Sequence, residues 1–120
     1  MRVFYEVAHQ PLFTVGGAHS LNDAIRLCGG VNVFERLALP SPSVGVEAVL
    51  GADPEVIVGA DYPPPPPGEL GVLSDWLRWT GVAAVADGHV YALDPVVMAR
   101  PTPRLLDGVA TLCELIDRAR

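Results

Sequence analysis

The segment Val56-Ile57-Val58 restricts the fold more than any other part of the chain. It is too short for a helix, follows the breaker Asp53-Pro54, and carries no polar side chain on either face. A strand of that kind must be buried on both sides, as happens in a parallel sheet covered by helices. Parallel strands need crossover connections, so the chain should alternate strands with helices.

The remaining sequence follows that alternation. Val3 to Val7 reads as an opening strand with weak alternation, and His9 to His19, with Pro11 and Gly16-Gly17, as a loop. Ser20 and Asp23 have capping-box spacing, so a helix is predicted to start at Ser20. Leu21, Ala24, Ile25 and Cys28 make its apolar face, and Gly29-Gly30 stops it. A short apolar stretch covers Val31 to Phe34, and a second short helix about Val46 to Gly51. Glu69 to Trp79 reads as a helix weakened at its start by Gly71. Val82–Val85 and Val90–Leu93 flank Asp87-Gly88, which predicts two strands joined by a tight turn. In the closing helix Thr102 is the expected N-cap and Pro103 the first helical residue. Leu105, Val109, Leu112 and Ile116 form its stripe, with Leu106, Ala110 and Cys113 beside it. Pro40-Ser41-Pro42 is an extended loop. Pro63 to Pro67 favours polyproline II and makes a stiff surface arm of about 15 Å. The expectation is one α/β domain over residues 1–120, with a mainly parallel sheet.

Half of the residues are apolar and 18% are charged, so the chain should fold. The net charge of -6 argues against nucleic acid as a partner. No stretch approaches the roughly 20 apolar residues that span a bilayer. Met1-Arg2 leads directly into the first strand with no signal segment, which read by itself points to the cytoplasm. Cys28 and Cys113 form no CxxC pair, so zinc or thioredoxin-like chemistry is not expected. They are either two buried thiols or one disulfide. A bridge would close a loop of about 85 residues and contribute about 4 to 5 kcal/mol by the chain-entropy estimate. His9, His19, Tyr62 and Tyr91 are scattered and show no metal-ligand spacing, so neither a metal nor a cofactor is expected. There is no nucleophile–base arrangement, phosphate loop or dinucleotide fingerprint, and no enzyme activity is expected.

Four fragments, in order, resemble one family. Cys28-Gly29-Gly30-Val31-Asn32-Val33-Phe34 is similar to a "GG-x-N-x-F" segment. Val44-Gly45-Val46-Glu47-Ala48-Val49-Leu50 with Asp53-Pro54-Glu55-Val56-Ile57-Val58 resembles "V-S-x-E-x-L-L … P-D-V-I-V". Ala84 to Tyr91 resembles "A-V-x-x-G-R-V-Y", and Arg100-Pro101-Thr102-Pro103-Arg104 resembles "R-P-G-P-R". These are segments of the helical-backbone periplasmic substrate-binding proteins of ABC importers for vitamin B12, haem and ferric siderophores. The match runs from about Arg2 to Ala119 and covers the C-terminal lobe only. The resemblance implies a three-layer, Rossmann-like lobe with helices on both faces of the sheet. It implies a periplasmic or extracytoplasmic location and a cobalamin, haem or ferric-siderophore ligand. An ABC permease and an N-terminal lobe, absent from this chain, are the implied partners. It also implies a Cys28–Cys113 disulfide.

Residue roles carried over by the resemblance are few. Glu47 stands where the family places a glutamate that meets permease arginines, through a charge-assisted pair. It is also a first-turn acid favoured by the helix dipole. Gly45 replaces the usual serine cap, which leaves Ser43 as the expected cap. Phe13 occupies a loop where relatives place ligand-facing aromatics, and Ser41 a site where vitamin B12 binders carry an aromatic. Arg100 and Arg104 lie near a helix N-terminus, where an anionic partner is expected. Asp94 is the internal candidate, and Arg100 could meet a ligand carboxylate or phosphate. Phe13, Ser41, Asp94 and Arg100 are therefore the expected ligand-binding residues. An open cleft wall would also favour self-association. The competing expectation is a stand-alone cytoplasmic α/β interaction or regulatory domain derived from that lobe.

Overall fold

The computed structural model describes residues 1–66, 68–95, 98 and 103–119. Its centre is β1 (Arg2–Ala8), and β4 (Val56–Gly59) pairs with it in parallel, Val3 opposite Val56 and Glu6 opposite Gly59. Next to β4 lies β5 (Val90–Ala92), again parallel. The other edge of β1 is shared by two short strands. Beside its start runs β3 (Val31–Asn32), in parallel. Beside its end runs β2 (Phe13–Thr14), antiparallel. β1 and β4 are thus enclosed by neighbours, which explains why Val56, Ile57 and Val58 are all fully buried.

Successive side chains of a strand point to opposite faces, and the two faces build separate cores. On one, Val3, Tyr5, Val56 and Val58 pack against α1 (Ser20–Leu27) and α4 (Pro103–Arg118). Leu21, Ile25, Leu112 and Ile116 supply the helical side, each worth about 1.5 to 3 kcal/mol of burial. On the other, Phe4, Ile57 and Val90 pack against α2 (Val46–Ala52), α3 (Ala83–Ala86) and a 3-10 helix, Gly71–Arg78. Trp76 stands edge-on to Phe4 with ring centroids 5.5 Å apart. This is the mixed α/β, mostly parallel architecture with helices on both faces.

Cys28 closes α1 and is bonded to Cys113 of α4, with Cα atoms 4.7 Å apart, inside the usual span. The end of α1 is a Schellman motif. Gly29 has φ 84°, its N–H donates to the Arg26 carbonyl, and Gly30 N–H donates to the Ile25 carbonyl.

Several local expectations are corrected. The start of α1 is capped by His19, whose Nδ1 accepts from Leu21 N–H at 3.0 Å, and Ser20 is the first helical residue. The His9–His19 loop contains β2, because the Phe13-Thr14 backbone finds partners on β1 and on the Pro42 carbonyl. Gly45 is the N-cap of α2 with no side-chain cap, so Ser43 does not serve. The expected helix at Glu69–Trp79 is a 3-10 helix preceded by Leu70 as N-cap.

The largest correction concerns Val82–Val85, which is not a strand: Val82 is the extended N-cap of α3, and the helix begins at Ala83. Ala83 N–H donates to Asp53 Oδ1 at 2.9 Å and Ala84 N–H to the Pro54 carbonyl, which anchors the start of α3. Asp87-Gly88 is then a second Schellman ending: Gly88 has φ 74°, and His89 N–H donates to the Ala84 carbonyl at 2.7 Å. The same dipeptide serves hairpins and helix ends alike, and a parallel neighbour for β4 requires the latter. The Thr102 cap lies outside the described residues, as do the side chains of Leu105 and Leu106.

Candidate functional site

In an open parallel sheet, ligands bind beyond the carboxyl ends of the strands. Here β1, β4 and β5 end together, and the segments that follow them form a continuous edge. Three depressions among the described residues lie along it. A groove of about 410 Å³ lies between His9–Leu12, the Val44–Val46 start of α2, and Asp75, Trp76, Arg78 and Trp79. Two more, each about 310 Å³, share Ala92, Leu93 and Asp94. One is bounded by Pro64–Pro66, the other by Met98, Asp107 and Thr111.

The expected site residues divide into two groups. Phe13 is half-buried on β2 and bridges to Ser43, and Thr14 N–H donates to the Pro42 carbonyl. Those contacts bring the exposed Ser41 into the same stretch as Phe13. Asp94 is exposed just past β5, at the opposite end of the strand order. None of the three depressions is lined by Phe13 or Ser41, and two are lined by Asp94. Arg100 lies outside the described residues, as does the side chain of Arg104. Glu47 is exposed in the first turn of α2. Its Oε2 folds back to 3.3 Å from where a Cβ on Gly45 would stand, so the glycine makes room for the carboxylate at the rim of the larger groove.

The reading of the sequence missed the most polar feature of this edge. Glu6 is fully buried at the end of β1, and Asp61, two residues past β4, is 8% exposed. Glu6 Oε1 accepts from Trp76 Nε1–H at 2.9 Å and lies 3.3 Å from His9 Nδ1. His9 Nε2 is 2.8 Å from Asp75 Oδ2. Burial raises the pKa of both carboxyls, and the facing Glu6 adds to the effect on Asp61, whose pKa is pushed up to about 8. Burial and the nearby Asp61 also hold the Tyr5 phenol above its ordinary value. Burial moves His19 the other way, below the usual imidazole value, in keeping with a ring nitrogen that accepts the Leu21 N–H. A glutamate inside an apolar strand, and an aspartate directly after the run Val56–Ala60, were the available signals. No group of three His, Cys, Asp or Glu among the described residues is arranged to hold a metal ion.

No protein-family model matches the chain. It is 33% identical over 121 residues to the vitamin B12-binding protein of Vibrio cholerae, and 32% identical over 124 residues to that of Vibrio parahaemolyticus. Each alignment takes in 100% of this chain and 42% of the relative. The crystal structure of the periplasmic vitamin B12-binding protein of Vibrio cholerae superposes with a TM-score of 0.85 at 32% identity, over 99% of this chain and 45% of that one. This chain is homologous to one lobe of the vitamin B12-binding periplasmic proteins. It spans less than half the length of those relatives. Both relatives are vitamin B12-binding proteins. A periplasmic haem-binding protein in complex with two haems shares the fold, with a TM-score of 0.76 at 21% identity over 98% of this chain and 44% of that one.

Proposed function

We propose that this chain is the C-terminal lobe of a periplasmic substrate-binding protein of an ABC importer. It forms one wall of a cleft that takes a cobalamin, a haem or a ferric siderophore, and a second lobe supplies the other wall. The carrying observation is that 99% of this chain superposes on 45% of the Vibrio cholerae protein with a TM-score of 0.85 at 32% identity. The ligand lies along the carboxyl edge, with Phe13 and Ser41 towards β2 and Asp94 beyond β5; Arg100 remains a candidate from the sequence alone. Phe13 offers an apolar ring to a flat macrocycle. Serine at position 41 offers none, which favours a ligand that does not need stacking there. The Cys28–Cys113 bond supports an oxidising compartment over the cytoplasmic alternative.

Glu47 docks the permease in this reading. It is exposed in the first turn of α2, whose N-cap, Gly45, supplies no side-chain cap. A charge-assisted pair with a permease arginine would fix orientation more than affinity. Two measurements test the proposal. Calorimetry of this chain alone with cyanocobalamin and with haemin should give little heat, and sub-micromolar affinity would sink the single-wall reading. In the two-lobed protein, Glu47→Arg should weaken association with the permease about tenfold or more and leave cyanocobalamin affinity unchanged. Unaltered association would remove Glu47 from the docking surface.

A further inference from the structure

Glu6 and Asp61 meet where three segments converge. Glu6 ends the buried part of β1 and pairs with Gly59 of β4, two residues before Asp61. The 3-10 helix lies over both. A Cβ on Gly59 would collide with the Leu73 side chain and stand 2.9 Å from Asp61 Oδ2, so this glycine lets the helix and the aspartate close down together. Trp76 and Asp75 of the same helix then reach Glu6 directly and through His9.

The charge inventory around this point is small. Tyr5 comes from β1, its hydroxyl buried and, among the described residues, without a hydrogen-bond partner. His9 follows β1, and Asp75 and Arg78 belong to the 3-10 helix, Arg78 lying 3.9 Å from Asp75. Among the described residues no side-chain donor outside the pair reaches Glu6 Oε2 or either Asp61 side-chain oxygen, and the Asp61 backbone N–H offers the aspartate only a partial offset. Two buried carboxylates that face each other with so few donors cannot both stay ionised, and a single proton between them answers both.

We propose that Glu6 and Asp61 share one proton, and that this proton is a latch holding the 3-10 helix on the ends of β1 and β4. While it is held, Trp76 donates to Glu6 and the Asp75–Trp79 segment walls the 410 Å³ groove. When it passes to solvent, a second negative charge is left in a dry site. The helix then lifts to admit water, and the groove changes shape. The raised affinity of Asp61 for its proton places this release on the alkaline side of neutrality. The latch belongs to the chain itself and does not depend on the ligand or the permease.

The indole N–H of Trp76 is the reporter. In ¹⁵N-labelled protein its resonance, identified against Trp79→Phe, should move through one inflection near pH 8 in a titration from pH 6 to 10. Asp61→Asn keeps a donor towards Glu6 and cannot titrate, and should abolish the inflection; Glu6→Gln should do the same. A wild-type resonance that does not move, or an inflection that survives in Asp61→Asn, would overturn the latch. Should neither variant fold, urea denaturation of the wild type decides. The folded state holds a proton that the unfolded state has lost, so stability must fall as pH rises from 7 to 8 and level off above 9. A flat profile across that window rules the shared proton out.

Discussion

On one face of the sheet, α1 and α4 close an apolar core, and a covalent bond joins the two helices. On the other, a 3-10 helix rests on a core that contains Phe4 and Trp76 but also an ionisable pair. The first face is held by burial and by a covalent cross-link, neither of which responds to pH near neutrality. The second is held in part by hydrogen bonds whose worth depends on where a proton sits. A domain built this way can keep its frame while the carboxyl edge of its sheet adjusts. The fixed face supplies the frame, and the adjustable one carries the larger groove.

The division can be attacked from either side. Cys113→Ser should cost most, about 3 to 5 kcal/mol, read as a fall of about 15 °C in the melting temperature under non-reducing conditions. Reduction of the wild type should reproduce it. Trp76→Phe keeps most of the ring packing and removes the donor to Glu6, and should cost about 1 to 3 kcal/mol in a urea titration. A loss there as large as that of Cys113→Ser would show that the second face is no softer than the first. Gly88→Ala has room for its methyl group but not the preferred backbone at φ 74°, so about 1 kcal/mol should be lost from the α3–β5 turn. Arg26→Ala removes an exposed bridge to Glu35 of 2.8 Å and should change the melt by less than about 1 kcal/mol.

Much of the first face was legible in the sequence, and much of the second was not. The stripe on α4 and the apolar side of α1 repeat at helical spacing, and a glycine pair marks where α1 ends. Those signals are local and need no knowledge of the rest of the chain. Val82–Val85 failed because its β-leaning composition is overruled at long range: Asp53 and Pro54, thirty residues earlier, take up its first backbone N–H groups. Glu6 and Asp61 failed for a related reason. Charged residues are rarely buried, so a glutamate in a strand is read as solvent-facing unless the partner that excuses it is known. That partner is brought by β1–β4 pairing, which sequence spacing does not reveal. Among the expected site residues, Phe13 and Ser41 do share a stretch of backbone, through the unanticipated strand β2.

The proline arm after β4 has its own chemical consequence. Pro64, Pro65 and Pro66 border one of the depressions beside Asp94, and a proline carries no amide hydrogen. Those three residues therefore offer ring methylenes and no main-chain donor, and the Pro66 carbonyl is already taken by Glu69 N–H. A molecule resting against them must bring donors of its own or be oily there, and a passing strand cannot zip onto them.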